Sequence, residues 1–142
     1  MDFKMAVQED GERLAEIRAA AMRPSLEAVG RFDEQRVRNR FLDTFLPMNT
    51  FKIESQGSLA GFFVITDKMD HLYLDHLYIH PDYQNHQLGR AAIEQVIKMA
   101  RERTLPLRLG ALRGSRSNRF YINHGFIKTH EDEFDIYYEL RA

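Results

Sequence analysis

The sequence predicts an α/β (α+β) fold: a mixed, mostly antiparallel, twisted sheet of about seven strands with four helices on its faces. Three observations carry this expectation. Segments of period two alternate with segments of helical period in the order β-α-α-β-β-β-α-β-α-β-β. Neighbouring strands are joined by short polar turns, the mark of hairpins, and one passage, from Leu74 through a long helix to Leu107, calls for a parallel crossover. The length of 142 residues suits a single domain spanning residues 1–142.

Each element has its own signal. Phe3, Met5 and Val7 alternate with polar residues as in a half-buried strand. Asp10 stands where a helix cap is wanted, and Leu14, Ile17 and Ala21 follow at helical spacing. Arg23-Pro24 is expected to break that helix, leaving Met22 to Phe32 as a connector with Gly30 near its end. Asp33 can cap a second helix in which Val37, Phe41 and Phe45 recur every four residues, with Arg36, Arg38 and Arg40 on its other faces and Pro47 beyond its end. Thr50 to Ser55 and Leu59 to Thr66 form a hairpin about Gln56-Gly57, and the apolar run Phe62 to Ile65 implies burial on both faces. A polar turn, Asp67 to Asp70, leads into a strand from His71 to Ile79.

The helix that follows has the clearest pattern: Leu88, Ala92, Val96 and Ala100 line one side, and Ile93, Ile97 and Met99 widen the stripe. Pro106 follows it, and Leu107 to Leu112 is a short strand. Ser115 or Ser117 can cap a final short helix that carries Tyr121 and stops at Gly125. Phe126 to Thr129 and Phe134 to Leu140 form a closing antiparallel pair.

Composition narrows the function. With 44% hydrophobic and 29% charged residues the chain reads as a soluble globular protein, and a formal net charge of −1 argues against a general nucleic-acid binder. The absence of cysteine removes disulfides, thiolate metal sites and a cysteine nucleophile. His76 and His80 share a strand face but lack a third ligand, so no metal site is expected. No apolar run approaches the roughly 18 residues of a membrane span, and the N-terminus does not read as a signal peptide, so a cytoplasmic protein without membrane contact is expected.

The junction between the strand ending at Ile79 and the helix opening at Leu88 carries the chemistry. A helix N-terminus presents backbone N–H groups without intrahelical partners, and its dipole favours an anion. The loop Gln84-Asn85-His86-Gln87-Leu88-Gly89 can aim such groups inward, and Gly89 has no side chain to keep a phosphate away. A packing glycine would explain the same junction without any ligand.

The stretch from Ile79 to Ala91 resembles the acetyl-CoA motif of the GNAT superfamily of N-acetyltransferases. That motif is Gln or Arg, then x-x-Gly-x-Gly or Ala. Gln84 matches its first position and Gly89 its last, while Gln87 stands where the middle glycine is usual. Downstream, Tyr121-Ile122-Asn123-His124-Gly125-Phe126, preceded by Phe120, is similar to the family's Phe-Tyr-x-x-x-Gly-Phe segment.

The resemblance implies transfer of an acetyl group from acetyl-coenzyme A, a co-substrate, to a primary amine by direct attack in a ternary complex. It implies that the backbone of Gln84, Asn85, His86, Gln87, Leu88, Gly89 and Arg90 holds the pyrophosphate. It implies that Leu77, Tyr78 and Ile79 pair with the pantetheine arm, with a backbone N–H near Leu77 or Tyr78 facing the thioester carbonyl. Asn118 is a substitute for a cofactor-contacting asparagine that the family often has further upstream. Tyr121 is implied to protonate the leaving thiolate, and a phenol with a pKa of about 10 is well matched to an alkyl thiol.

The base that takes the amine proton is open between Asp75, His76 and a water chain. Strand neighbours face opposite sides, so at most one of the two residues enters the site. In such a fold the first two helices and their connector shape the acceptor cleft, which brings in Met22, Arg23, Glu27, Arg31 and Phe32. The acceptor would be a small-molecule or peptide amine. The helix-two arginines read as a solvated face that could also attract an acidic acceptor. The aromatic last strand, Phe134 to Tyr138, is a candidate homodimer edge. The alternative is a non-catalytic acyl-CoA-binding sensor or partner-binding module of the same fold.

Overall fold

A computed structural model describes residues 1–84 and 87–141. In chain order the elements are β1 (Asp2–Met5), α1 (Gly11–Ala28), α2 (Glu34–Leu42), β2 (Thr50–Ser55), β3 (Ser58–Asp67), β4 (Leu72–Ile79), α3 (Leu88–Glu102), β5 (Leu107–Leu112), α4 (Ser117–Asn123), β6 (Ile127–Glu131) and β7 (Asp135–Leu140). Short 3-10 turns cover Gln8–Asp10, Pro47–Asn49 and Pro81–Tyr83. The seven strands are ordered β1-β2-β3-β4-β5-β7-β6, as the expected mixed sheet with four helices requires. The chain divides into two compact units, Met1–Val64 with His76–Ile93, and Ile65–Asp75 with Glu94–Ala142.

In the first unit, β1 pairs antiparallel with β2, and β2 with β3. The hairpin turn between β2 and β3 puts both Gln56 (φ 52°) and Gly57 (φ 80°) in the left-handed region, the two-residue geometry that matches strand twist. β3 is buried continuously from Ala60 to Ile65, so its apolar run is covered on both faces. Leu14, Ala15 and Ile17 of α1, Phe41 of α2, and Phe62 and Val64 of β3 form one core cluster. Asp33 caps α2 by accepting from the Arg36 N–H at 2.9 Å.

The first helix is longer than its sequence suggests. It runs through Pro24 to Ala28, and the connector shrinks accordingly. An i,i+4 ion pair of Arg23 with Glu27, 3.0 Å, straddles the proline. Gly30 supplies the stop. Its φ is 69°, its N–H donates to the Glu27 carbonyl, and the Arg31 N–H donates to the Leu26 carbonyl, so the helix closes on a left-handed cap. The Asp10 carboxylate does not cap α1; it accepts from the Val7 N–H at 2.8 Å and pairs with Lys52 at 3.2 Å.

In the second unit, β4 and β5 pair in parallel through Leu72–Leu107, Tyr73–Arg108 and Leu74–Leu109. This is the crossover that α3 completes. β7 pairs antiparallel with β5 on one side and β6 on the other. α4 has no serine cap: Ser115 Oγ and Ser117 Oγ bond each other at 2.6 Å, and Asn118 ties the turn down instead. Its Nδ2 donates to the carbonyls of Leu112 (2.9 Å) and Ser115 (3.0 Å), and its Oδ1 accepts from the Tyr138 hydroxyl at 2.8 Å.

Candidate active site

The strand-to-helix junction is built from backbone. β4 runs five residues beyond the end of its ladder with β5, from Asp75 to Ile79. Close packing fixes its last residues: a Cβ on Gly61 would lie 2.3 Å from the Tyr78 carbonyl oxygen, so only glycine lets β3 approach here. The His80 N–H donates to the Ala60 carbonyl at 2.8 Å. The chain then turns through Pro81–Tyr83, where the His80 ring accepts from the Asp82 N–H at 3.1 Å. Gln84 reaches back and donates from Nε2 to the Ile79 carbonyl at 3.1 Å, closing the loop on the strand end.

Asn85 and His86 lie outside the described residues. Gln87 has φ 63°, a left-handed conformation that glycine adopts without strain, and its carbonyl accepts from the Ala91 N–H at 3.2 Å. The usual glycine at this point therefore has a backbone reason, and Gln87 meets the requirement with a side chain attached. Leu88 is buried and anchors α3, while Gly89 and Arg90 fall in its first turn, which holds no acidic residue. The helix dipole at this end is thus not neutralised from within the helix.

Asp75 and His76 lie on opposite faces of β4, as alternation requires. Asp75 accepts a short bond from the Thr66 hydroxyl, and partial desolvation of its carboxyl pushes its pKa up. His76 packs edge-on against Phe41 (5.6 Å, 82°), and its Nδ1 lies 3.3 Å from the Tyr78 hydroxyl. Burial, together with the positive charges of Arg18 and Arg40, lowers its pKa to about 3. It is a neutral imidazole across the physiological range, and a weak proton acceptor beside an ammonium of pKa about 10.

Sequence reasoning missed Arg18. It is only 5% exposed, donates to the Val37 carbonyl and, from Nε, to the Tyr78 hydroxyl at 3.4 Å. The available signal was its place on the apolar stripe of α1, four residues after Leu14. Met22, Arg23 and Glu27, expected in a connector, are helical, and the Arg23 guanidinium stacks over the Phe32 ring at 4.9 Å.

In the second unit, Tyr121 is buried on α4 among Phe120, Phe126 and Tyr138, with ring centroids 5.3, 5.6 and 6.4 Å away. The spacing Tyr-x-x-x-Gly-Phe is a helix ending. Gly125, at φ 92°, donates to the Ile122 carbonyl at 3.0 Å, and Phe126 donates to the Tyr121 carbonyl at 3.1 Å. Asn118 spends its amide on Leu112, Ser115 and Tyr138. These bonds position the start of α4.

A family model described as "Acetyltransferase (GNAT) family" matches residues 12–126. No curated protein matches the sequence. Among solved structures, PaiA N-acetyltransferase from Thermoplasma acidophilum in complex with coenzyme A superposes with a TM-score of 0.78 at 17% identity, covering 99% of this chain and 98% of that one. An acetyltransferase from Thermus thermophilus gives a TM-score of 0.77 at 14% identity, with coverages of 99% and 96%. The ribosomal-protein-S18-alanine N-acetyltransferase of Escherichia coli gives 0.73 at 20% identity, with coverages of 99% and 92%. These likenesses show the fold, and the family match covers most of the sequence: the chain belongs to the GNAT acetyltransferase family.

Proposed function

We propose that the protein transfers the acetyl group of acetyl-coenzyme A to a primary amine by direct attack within a ternary complex. The observation that carries this reading is the β4–α3 junction. A strand that outruns its ladder with β5 leads through a left-handed residue into a helix N-terminus without acidic residues. Such a junction suits a ligand with an extended amide-bearing arm and a pyrophosphate, because backbone N–H groups serve both parts. Gln84, Gln87, Leu88, Gly89 and Arg90 would hold the pyrophosphate, as would Asn85 and His86, and Leu77 to Ile79 would hold the arm. Tyr121 would return a proton to the thiolate as the carbon–sulfur bond breaks and the carbon–nitrogen bond forms.

The acceptor's proton needs a destination. His76, with a pKa near 3, is too weak a base to take it, and Asp75 is already engaged by Thr66. We favour delivery through water or entry of the amine already neutral. The same observation supports a second reading, an acyl-CoA-binding module without catalysis. Calorimetric titration with coenzyme A, followed by a thiol-release assay on an amine panel, separates the two. Binding with amine-dependent release supports transfer. Binding with no release from any amine supports the module. Absence of binding overturns both.

A further inference from the structure

The core of the first unit contains a cation that no carboxylate among the described residues pairs with. Arg18 is buried, and a buried guanidinium without a counter-charge is costly. Arg23 pairs with Glu27 and Glu34, and Arg38 with Glu16 and Glu34. Neither Arg18 nor Arg40 has a carboxylate partner among the described residues. Arg18 instead donates to two neutral oxygens, the Val37 carbonyl and the Tyr78 hydroxyl, although the fork carries five N–H donors. No buried side-chain nitrogen or oxygen among the described residues lacks a partner, so the Nη2 end of Arg18, which has no acceptor here, opens to solvent.

The groups around it are ordered in one direction. Arg18 Nε donates to the Tyr78 hydroxyl, leaving that hydroxyl's proton for His76 Nδ1 at 3.3 Å. The imidazole accepts because it is neutral, and it is neutral because burial disfavours its charged form and two arginines add to that. Phe41, Phe62 and Tyr78 pack around the ring, so the field acts in a poorly hydrated place. The strand that carries His76 and Tyr78 is the one whose end, Leu77 to Ile79, is assigned above to the cofactor arm.

We propose that this face of β4, with Arg18 behind it and Arg40 beside it on α2, binds a carboxylate, and that the amine acceptor is one that carries a carboxylate, such as an amino acid or a peptide with an acidic residue. The proposal rests on the acetyl-transfer reading for the word acceptor, but the anion site itself does not. A bound carboxylate would supply the missing counter-charge and take the open guanidinium donors in a bidentate pair. It would also fix the acceptor beside the strand end from which the acetyl group is offered.

The test uses the full-length chain with coenzyme A bound, so that no turnover occurs. The His76 ring resonance is followed by NMR during titration with glycine or glycinamide, and with a short peptide containing glutamate or its glutamine counterpart. The carboxylate member of one pair shifts the resonance at about tenfold lower concentration than its amide partner, and which pair does so names the source. Arg40→Gln, an exposed change, cuts that discrimination several-fold without altering coenzyme A affinity. Equal responses to acid and amide, or no response to either, overturn the anion site. The same compounds are then assayed for thiol release. A carboxylate preference in binding without release from any amine upholds the anion site and sinks the transfer reading. Release from amides as fast as from acids, with no shift of His76, does the reverse.

Discussion

The backbone N–H of Phe126 donates to the Tyr121 carbonyl at 3.1 Å, and the two rings pack with centroids 5.6 Å apart. One helix ending thus joins them twice, through backbone and through side chain. The geometry depends on Gly125, whose φ of 92° is unfavourable for any residue with a Cβ. Gly125→Ala is expected to cost about 1–2 kcal/mol, since the left-handed turn becomes strained. Urea denaturation checks this as a lower midpoint at unchanged slope, and the assay checks for a fall in turnover as Tyr121 loses its anchor.

Gln87 tests the loop. Its φ of 63° strains a side-chain-bearing residue by roughly 1 kcal/mol. Gln87→Gly relieves that strain and is expected to raise coenzyme A affinity a few-fold while leaving thermal stability equal or slightly higher. Gln87→Val, branched at Cβ, works in the opposite sense on both. Calorimetry with coenzyme A reads the ranking Gly, Gln, Val directly.

His76 gives the fold a pH dependence of definite sign. Its pKa is about 3 in the folded protein against 6.5 for a free imidazole. Between these values the unfolded chain binds a proton that the folded one refuses. Stability is therefore fully present above about pH 6.5 and is lost progressively as pH falls toward 3, by an amount on the order of a few kcal/mol. His76→Gln is expected to flatten this part of the stability–pH curve. A curve with equal slope in both proteins would contradict the assignment.

Asn118 is expected to matter for stability and little for cofactor affinity. Asn118→Ala deletes two bonds to carbonyls and one from the Tyr138 hydroxyl, which places the loss at about 2–3 kcal/mol. Coenzyme A affinity of the folded variant, measured well below its melting temperature, should match that of the parent.

Much of the architecture was legible because it is periodic. The stripe of α3, the buried run of β3 and the Gln56-Gly57 turn each follow from residue types over a short window. Pro24 misled because a proline is a local signal and the competing signal, the Gly30 cap with its two backbone bonds, lies six residues later. The Tyr-x-x-x-Gly-Phe spacing was visible as a motif, and its cause, a left-handed helix cap, needed the backbone. The role of Gly61 was not legible, and Arg18 showed only as a charged residue on an apolar stripe. One depends on the close approach of a strand distant in sequence, and the other on partners 19 and 60 residues away. The surroundings of Asp75 and His76 were likewise not legible, since alternation separates the two residues without saying what each face meets.

The proposed reaction moves an acetyl group to an amine while Tyr121 protonates the departing thiolate. Transfer of a radiolabelled acetyl group from acetyl-coenzyme A to amines, compared between the parent and Tyr121→Phe, tests it most directly. Label is expected on the amine with the parent, and a rate about a hundredfold lower with Tyr121→Phe at unchanged coenzyme A affinity. Equal rates for the two proteins across the pH range, or label that never leaves the cofactor, would contradict it.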